Sequence, residues 1–450
     1  MSSPPGSNSL EDRETNVSPH TILVLFGALL VLQTAIDVVL TMLNLRQARR
    51  HAGAVPSAFE GIVDADTYRR SVSYTITRGT FGIVVTTVSS AALLVFVATG
   101  VLGMVDAGIR TLPIHPYQQG IALIAAVSFA AWLLRLPFSL YSTFSIEERF
   151  GFNRTTLRLF IVDALKGFAI SAALGLPLLS ALFWFMDRTG PWWWVWAFAA
   201  TAVFQLVMNV LSPLVIAPMF NTFTPLPAGS LKERIMALAA SLGFRTRGIF
   251  VVDGSRRSRH SNAYFTGLGS AKRIVLYDTL VSTGSEEEIL SVLAHEIGHE
   301  KLNHVKTGIA LSMALSLAGF WIISLLLPWE PLYRAFGFVQ PSYQAILVLI
   351  AFCSGPVMYF LQPFFSMYSR RHEYHADRFA VRGVGTASGL RSALLRLGRE
   401  NLSNLTPHPL YSFFHSTHPT LTERLEELDR LQRDLPGDGQ AQKANSSARA

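Results

Sequence analysis

Long apolar stretches separated by short polar loops dominate the hydrophobic pattern of this 450-residue chain. The hydrocarbon core of a bilayer, about 30 Å thick, is spanned by about 20 apolar residues in a helix. Seven stretches reach that length and are predicted to be transmembrane helices: Thr21–Leu43, Thr80–Val105, Gly120–Ile146, Gly167–Met186, Trp192–Pro218, Thr307–Leu327 and Tyr343–Phe365. The pattern therefore predicts a mainly α, polytopic membrane protein.

The remaining segments are more polar and divide the chain into regions. Residues 1–20 lack the basic n-region of a secretory signal peptide, so the first apolar stretch is predicted to remain in the mature protein. The predicted regions are a polar tail at 1–20, helices one to five with their loops at 21–220, a cytoplasmic segment at 221–306, helices six and seven at 307–368, a second cytoplasmic segment at 369–435 and a disordered tail at 436–450.

The segment 221–306 also carries signals of secondary structure. Apolar periodicity predicts a helix over Leu231–Leu242, whereas β-branched and aromatic residues predict strands at Ile249–Val252 and Arg273–Tyr277 in a small hairpin or sheet. Together with the second cytoplasmic segment, these elements predict a small α+β domain beside the membrane.

The net charge of +8 is distributed as membrane topology requires. The loop between the first two predicted helices is rich in arginine, whereas Arg110 is alone in the next loop; the first set comprises Arg46, Arg49, Arg50, Arg69, Arg70 and Arg78. This asymmetry favours a cytoplasmic first loop, an N-terminus outside, and cytoplasmic segments after the fifth and seventh helices. Membrane lipid is thus an expected partner, and nucleic acid is not.

Three residues inside apolar stretches need separate interpretation. Asp37 and Arg135 would be costly in lipid, so both are predicted to face a polar interior, although Arg135 could instead extend its charge to the interface. Cys353 is the single cysteine, which excludes an intrachain disulfide and a cysteine-based zinc site.

The strongest chemical signal is the H-E-x-x-H motif at 295–299. Its setting is predicted to be a helix that begins with a capping box formed by Ser285 and Glu288. Positions i and i+4 share one helical face, so His295 and His299 converge on one metal ion while Glu296 lies beside them as general base. The motif predicts a catalytic zinc site, with one Zn²⁺ per chain.

A catalytic zinc site takes a third protein ligand, and Glu373 is the best candidate. It follows the seventh apolar stretch, where a continuing helix would place Asp377 one turn beyond it, able to accept a hydrogen bond from a ligating imidazole. His372 and His375 are rivals by chemistry, but they flank Glu373 and would be turned away from its face. The alternative is that Glu373 and Asp377 are solvated partners of neighbouring arginines.

These motifs together resemble the type I CAAX prenyl proteases, which are seven-helix zinc endopeptidases of the endoplasmic reticulum membrane with bacterial relatives. The resemblance spans most of the chain. It includes Leu136–Phe144, Ile146–Glu148, Gly151–Asn153, Pro218–Leu226, Asn262–Phe265, the H-E-x-x-H motif, Ser369–Asp377 and His415–Pro419 with Glu423–Leu425. It implies a large water-filled chamber enclosed by the helices, with the zinc site of a gluzincin-like domain on its cytoplasmic side.

The resemblance also implies roles that spacing alone does not assign. Asn262 and His418 are expected to hydrogen-bond the substrate backbone or the developing oxyanion. Arg424, next to Glu423, is interpreted as a structural residue of an amphipathic, solvated helix. Tyr264, with its neighbour Phe265, lines a substrate groove or packs in the core, and the sequence favours neither.

The resemblance implies endoproteolysis of peptide or protein substrates, among them proteins prenylated at a C-terminal CAAX motif, with release of the terminal tripeptide. One alternative is a quality-control protease that uses the same site on damaged membrane proteins. Another is a transporter or channel with structural zinc, against which Glu296 argues because a structural site needs no carboxylate between its histidines. A bacterial inner membrane is the favoured location, or the endoplasmic reticulum membrane in a eukaryote.

Overall fold

A computed structural model describes residues 17–266 and 272–435, and the predicted disordered tail at 436–450 lies outside them. The fold is mainly helical. Its α-helices are α1 Pro19–Arg50, α2 Ala65–Ala98, α3 Val101–Arg110, α4 Pro116–Tyr141, α5 Leu157–Arg188, α6 Trp193–Leu211, α7 Ala217–Phe220, α8 Ser230–Ser241, α9 Asp278–Thr283, α10 Glu286–Lys301, α11 His304–Leu326, α12 Glu330–Ala335, α13 Tyr343–Val384, α14 Ser388–Glu400, α15 Pro409–His415 and α16 Leu421–Asp434.

Within residues 17–266 and 272–435, seven helices are long and apolar enough to cross a membrane, which confirms the predicted number. They are α1, α2, α4, α5, α6, α11 and α13, with α4 and α6 extended by π-helical turns at Ser142–Glu147 and Ser212–Ile216. The second predicted span runs too far, because Gly100 adopts a left-handed φ of 67° and separates α2 from α3. A glycine tolerates this conformation without steric cost, so the chain turns there.

Helix α13 connects the membrane bundle to the cytoplasmic segments. Its 42 residues correspond to about 63 Å at 1.5 Å per residue, roughly twice the thickness of a bilayer core. The C-terminal half of α13 therefore extends beyond the apolar stretch that begins it, and this half carries Glu373 and Asp377. The prediction that the seventh helix continues past its apolar part is confirmed.

A four-stranded sheet lies beside α10. Its strands are β1 Phe223–Pro225, β2 Ile249–Val252, β3 Ala263–Thr266 and β4 Arg273–Tyr277, in the order β1-β2-β4-β3. Strands β2 and β4 pair in parallel, so the two predicted strands form part of a sheet and not a hairpin. Strand β3 pairs antiparallel with β4 and forms an edge of the sheet.

Five hydrophobic clusters lie within the described residues, and the two largest position the elements of the site. One lies within the membrane bundle and includes Phe183, Tyr333 and Leu349, all almost fully buried. The other joins the sheet to α8 and α10 through side chains such as Ile274 and Leu293, which have no exposed surface. Because α10 packs its apolar face into this second core, the face that carries the two motif histidines is directed toward α13.

Candidate metal centre

Helix α10 begins with the predicted capping box. The Ser285 hydroxyl accepts a hydrogen bond from the Glu288 backbone N–H at 3.3 Å, and the Glu288 carboxylate accepts one from the Ser285 N–H at 3.0 Å. Glu288 also accepts hydrogen bonds from Ser392 at 2.6 Å and from Arg396 at 2.8 Å, both on α14. The start of the motif helix is thus held in place by a second helix.

His295, His299 and Glu373 are brought together as the sequence predicted, with ligand atoms within 4.8 Å of one another. The two histidine Nε2 atoms lie 3.2 Å apart. Nε2 of His295 is 3.5 Å from Oε2 of Glu373, and Nε2 of His299 is 3.3 Å from its Oε1. Ligands about 2.0–2.1 Å from a tetrahedral zinc ion would be roughly 3.3–3.5 Å apart, so the donor atoms have the separations of such a site.

Contacts within the protein satisfy the donor set only in part. Oε2 of Glu373 is buried and makes no contact with full hydrogen-bond geometry within the described residues, although Nδ1 of His418 lies 2.9 Å from it. One shared proton can bridge only two of the three donor groups of His295, His299 and Glu373. A cation at their centre contacts all three. Two imidazoles and a carboxylate are a ligand set of catalytic zinc sites. The residues present therefore fit a divalent metal.

Asp377 and Arg424 orient the first of these candidate ligands, His295. Oδ1 of Asp377, which has no exposed surface, lies 2.8 Å from Nδ1 of His295, the hydrogen-bond partner that the sequence predicted. Arg424 donates hydrogen bonds to both carboxylate oxygens of Asp377 and lies 3.7 Å from Oε2 of Glu373. Only 11% of the Arg424 side chain is exposed. Arg424 therefore lies in the site. The interpretation of Arg424 as a residue of a solvated helix face is wrong.

A histidine that the sequence analysis did not single out supports the other imidazole. His304, at the start of α11, places Nδ1 3.1 Å from Nδ1 of His299, which leaves Nε2 of His299 facing the metal position. The His304 ring stacks on that of His372 with centroids 3.9 Å apart. His372 and His375 lie outside the ligand group found in the described ranges, as their position on α13 predicted.

Burial and neighbouring charges shift the proton affinities on α10. Burial alone would lower the pKa of His295, but its hydrogen bonds with Asp377 and Glu373 outweigh that effect and raise the pKa to about 9. Burial raises the pKa of Glu296 above that of an ordinary glutamate, although the neighbouring histidines oppose the shift. A carboxylate whose proton affinity is raised is suited to accepting a proton near neutral pH.

Glu296 and His299 open onto a cleft of about 800 Å³. One wall is strand β3, represented by Tyr264, Phe265 and Thr266, and the opposite wall is formed by transmembrane helices α6 and α11. Phe265 also packs against Phe244 in the domain core, with ring centroids 4.8 Å apart. The sequence left open whether Tyr264 and Phe265 line a groove or pack in the core. Phe265 does both, because it packs in the core and borders the cleft.

Of the two residues whose roles the family resemblance implies, His418 contacts the candidate ligand group and Asn262 does not. His418 places Nδ1 2.9 Å from Oε2 of Glu373, and 64% of its side chain is exposed. Asn262 immediately precedes β3, and its side-chain oxygen accepts a hydrogen bond from the Ala263 N–H at 2.8 Å. In the part of the chain that the structure describes, no hydrogen bond connects Asn262 to the ligand group.

Comparison with protein families divides the chain into two matched regions. Residues 44–222 match the model of the CAAX prenyl protease N-terminal region with five membrane helices, and residues 225–432 match the model of peptidase family M48. The boundary between the two regions falls at the start of the sheet that lies beside the H-E-x-x-H helix.

Individual relatives cover nearly the whole chain. A CAAX prenyl protease 1 homolog from Arabidopsis thaliana is 38% identical over 86% of this chain and 94% of the relative. CAAX prenyl protease 1 of Saccharomyces cerevisiae is 36% identical, with 83% and 88% covered. The crystal structure of S. mikatae Ste24p superposes with a TM-score of 0.84 at 34% identity, and the match covers 91% of this chain and 99% of that one.

Proposed function

The chain belongs to peptidase family M48 as a multi-pass membrane metalloprotease of the CAAX prenyl protease type, and we propose that its metal is zinc, held by His295, His299 and Glu373. The observation that carries this proposal is the spacing of three donors, two of them buried and His299 partly buried, which matches that of ligands around a tetrahedral zinc ion. Zinc, when bound, acts as a Lewis acid on a carbonyl and makes water more acidic. The substrates are peptides or proteins.

Glu296 is the proposed general base. It accepts a proton from the water molecule that attacks the peptide carbonyl, and it then donates that proton to the departing amine. Its position at the cleft beside His299 and its raised pKa both support this role. Asp377 and Arg424 hold the His295 ring in the orientation that ligation requires.

Asn262 and His418 are the proposed contacts for the substrate backbone and the developing oxyanion. His418 lies beside Glu373 with most of its side chain exposed, so it can reach a bound peptide. Asn262 stands at the end of the strand that borders the cleft. Donors at such positions stabilise the negative charge that develops on the carbonyl oxygen.

Strand β3 is the proposed docking edge for the substrate backbone. The Asn262 carbonyl accepts from the Tyr277 N–H, and Ala263 is paired with Leu276 in the register of β3 and β4. Residues of an antiparallel strand alternate in direction, so the Ala263 carbonyl and both backbone groups of Phe265 point away from β4. An extended peptide can add a strand at these groups, next to Glu296.

A lipidated substrate is the proposed physiological one, specifically a protein prenylated at a C-terminal CAAX motif. The relatives are named CAAX prenyl proteases. In this chain, α6 and α11 contribute to the cleft both apolar residues, among them Phe204, Met208 and Ile309, and polar ones such as Gln205 and Asn209. A peptide on β3 would thus lie beside a partly apolar, membrane-embedded surface suited to an isoprenoid.

The proposed orientation places the N-terminus outside and both the site and the C-terminus in the cytoplasm, in a bacterial inner membrane or an endoplasmic reticulum membrane. The arginines at the C-terminal end of α1 and in the N-terminal part of α2, on either side of loop 51–64, support this orientation. Phe59 of that loop and Tyr68 of α2 pack with Leu395 and Leu425 of the C-terminal segments. The basic loop and the metal centre are therefore on one side, which the positive-inside rule assigns to the cytoplasm.

The test uses detergent-purified protein and matched CAAX peptides with and without a farnesyl group. Glu296→Gln is expected to keep its zinc, measured by elemental analysis, and to lose about 10²–10⁴-fold in cleavage rate. Glu287→Gln, on the same helix but 64% exposed, is the matched control and should retain full activity.

Three outcomes separate the possible functions. Farnesyl-dependent cleavage that requires Glu296 supports CAAX processing. Equal cleavage of both peptides overturns the proposed substrate and favours quality control of membrane proteins. Zinc bound without any Glu296-dependent cleavage overturns the assigned catalytic role and returns the transporter alternative to consideration.

A further inference from the structure

The catalytic proposal assigns no role to helix α15. It packs against both α13 and α1. Only two residues separate its last residue, His415, from His418, whose Nδ1 lies 2.9 Å from Oε2 of Glu373. The position of His418 therefore depends on what holds the C-terminal end of α15.

Helix α13 holds that end through two side chains. Nη1 of Arg370 donates to the carbonyl oxygens of Ser412 and Phe413 at 3.3 Å and of Ser416 at 2.6 Å. The Ser366 hydroxyl donates to the Phe414 carbonyl at 3.2 Å. The last carbonyls of a helix have no partners further along it and attract a cation. Arg370 provides the C-terminal end of α15 with both hydrogen-bond donors and a positive charge.

The same face of α13 carries the third ligand. Ser366, Arg370 and Glu373 occur at positions i, i+4 and i+7, which share one side of a helix. Arg370 precedes Glu373 by less than one turn. The groups that hold α15 and the carboxylate beside His418 are thus parts of one rigid element.

Asp37 of α1 faces the last residue of α15. Nε2 of His415 is buried, makes no hydrogen bond within the described residues and lies 3.5 Å from Oδ1 of Asp37, whose second oxygen accepts a hydrogen bond from Thr86 of α2 at 3.2 Å. The rings of Tyr359 and Tyr411 flank His415 with centroid distances of 6.2 and 4.7 Å. A carboxylate within a transmembrane helix is costly unless a partner faces it, and His415 is that partner for Asp37.

We propose that Arg370 and Asp37 are positioning residues that fix α15 between α13 and α1 and so place His418 at the metal centre. The proposal rests on the role assigned above to His418. Neither residue touches the substrate in this scheme; both act through the segment 409–418.

The first test measures anchoring directly, without reference to catalysis. Hydrogen exchange of the full-length protein in detergent is compared for wild type, Arg370→Gln and Asp37→Asn. Exchange in peptides covering 409–418 should increase at least severalfold in both variants, with exchange in α10 unchanged. Arg371→Gln is the matched control, because Arg371 is the exposed neighbour on α13. Unchanged exchange at 409–418 would overturn the proposal.

The second test is a double-mutant cycle with His418→Ala, measured as cleavage of the farnesylated peptide at saturating zinc. Arg370→Gln should lower kcat about tenfold with zinc content unchanged, and it should have almost no effect when His418 is already alanine. Additive losses would show that Arg370 does not act through His418 and would overturn the proposal. A silent His418→Ala in an active enzyme would instead refute the role assigned to His418, while exchange still decides whether α15 is anchored.

Discussion

Arg424 donates to both oxygens of Asp377, from Nε to Oδ2 at 2.9 Å and from Nη2 to Oδ1 at 2.6 Å, and Oδ1 also lies 2.8 Å from Nδ1 of His295. Asp377 has no exposed surface. The guanidinium therefore balances a buried carboxylate that at the same time fixes an imidazole of the metal centre. A buried pair of this kind is costly to break, because one charge would remain without its partner.

Arg424→Ala is expected to weaken zinc binding about 10–100-fold, the effect typical of removing an outer partner of a metal ligand. It should also lower the free energy of unfolding by about 3–5 kcal/mol. Competition with a chelator and thermal unfolding in detergent measure the two effects. Arg430→Ala is the control, since Arg430 lies on the same helix with 57% of its side chain exposed. Equal zinc affinity in both variants would contradict the assigned role.

Gly298, between Ile297 and His299, permits the close approach of α10 and α13. A Cβ atom added there would lie 3.2 Å from the Ala376 Cα and 3.3 Å from its carbonyl oxygen. Overpacking of this kind costs about 1–3 kcal/mol. Because His299 and Glu373 stand on the two helices, their separation would have to increase.

Gly298→Ala is therefore expected to reduce zinc affinity about tenfold or more while the protein still folds. Zinc affinity and circular dichroism of the same preparation measure this. Gly319→Ala on α11 is the matched control, since no atom lies within 4 Å of an added Cβ there. If the two alanine variants bind zinc equally, the helix contact does not set the ligand geometry.

The grouping of His295, His299 and Glu373 could be predicted from the sequence because its geometry is largely local. His295 and His299 share a face of any helix that contains them, and the capping signal of Ser285 predicts where this helix begins. The position of Glu373 could be predicted because the seventh transmembrane helix continues beyond its apolar part. The seven spans were predicted because each is a continuous apolar stretch.

The partners of those ligands depend on tertiary packing, which local patterns do not encode. Arg424 is 47 residues from Asp377 in sequence, and its neighbours predict an ordinary amphipathic helix. His304 reaches His299 only because the chain turns between α10 and α11 at Asn303, which has a left-handed φ of 60°. Strand β3 lies between β2 and β4 in the sequence, and the pattern of β-forming residues did not predict it. The parallel pairing of β2 with β4 could therefore not be predicted either.

Backbone pairing along β3 predicts a periodic response to changes in the substrate. Along β3, only the backbone groups of alternate residues point away from β4 at the free edge of the sheet, namely those of Ala263 and Phe265. A scan in which single substrate amides are N-methylated should reduce kcat/KM at alternate positions only, by about 2–10-fold for each lost hydrogen bond. Losses at consecutive positions would show steric exclusion, and no loss at any position would exclude strand addition at β3.

Glu288 makes the stability of the motif helix depend on pH. Burial alone would raise its pKa, but hydrogen bonds from Ser392 and Arg396 outweigh this and hold the pKa below its ordinary value of 4.5. A carboxylate with a lowered pKa stabilises the folded state above the unfolded pKa. That contribution is lost as the pH falls below 4.5 and through the folded pKa.

Glu288→Gln is accordingly expected to lower the free energy of unfolding at pH 7 by about 1.5–3 kcal/mol, the value of a hydrogen bond to a charged group. The difference from wild type should shrink as the pH falls below 4.5, because wild-type Glu288 then becomes neutral as well. Thermal unfolding between pH 3 and 7 measures both. Glu287→Gln, at an exposed pair with Arg234, should leave stability almost unchanged throughout, because solvent screens an exposed ion pair. A Glu288→Gln deficit that persists undiminished into acid would mean that side-chain shape, and not charge, holds α10 to α14.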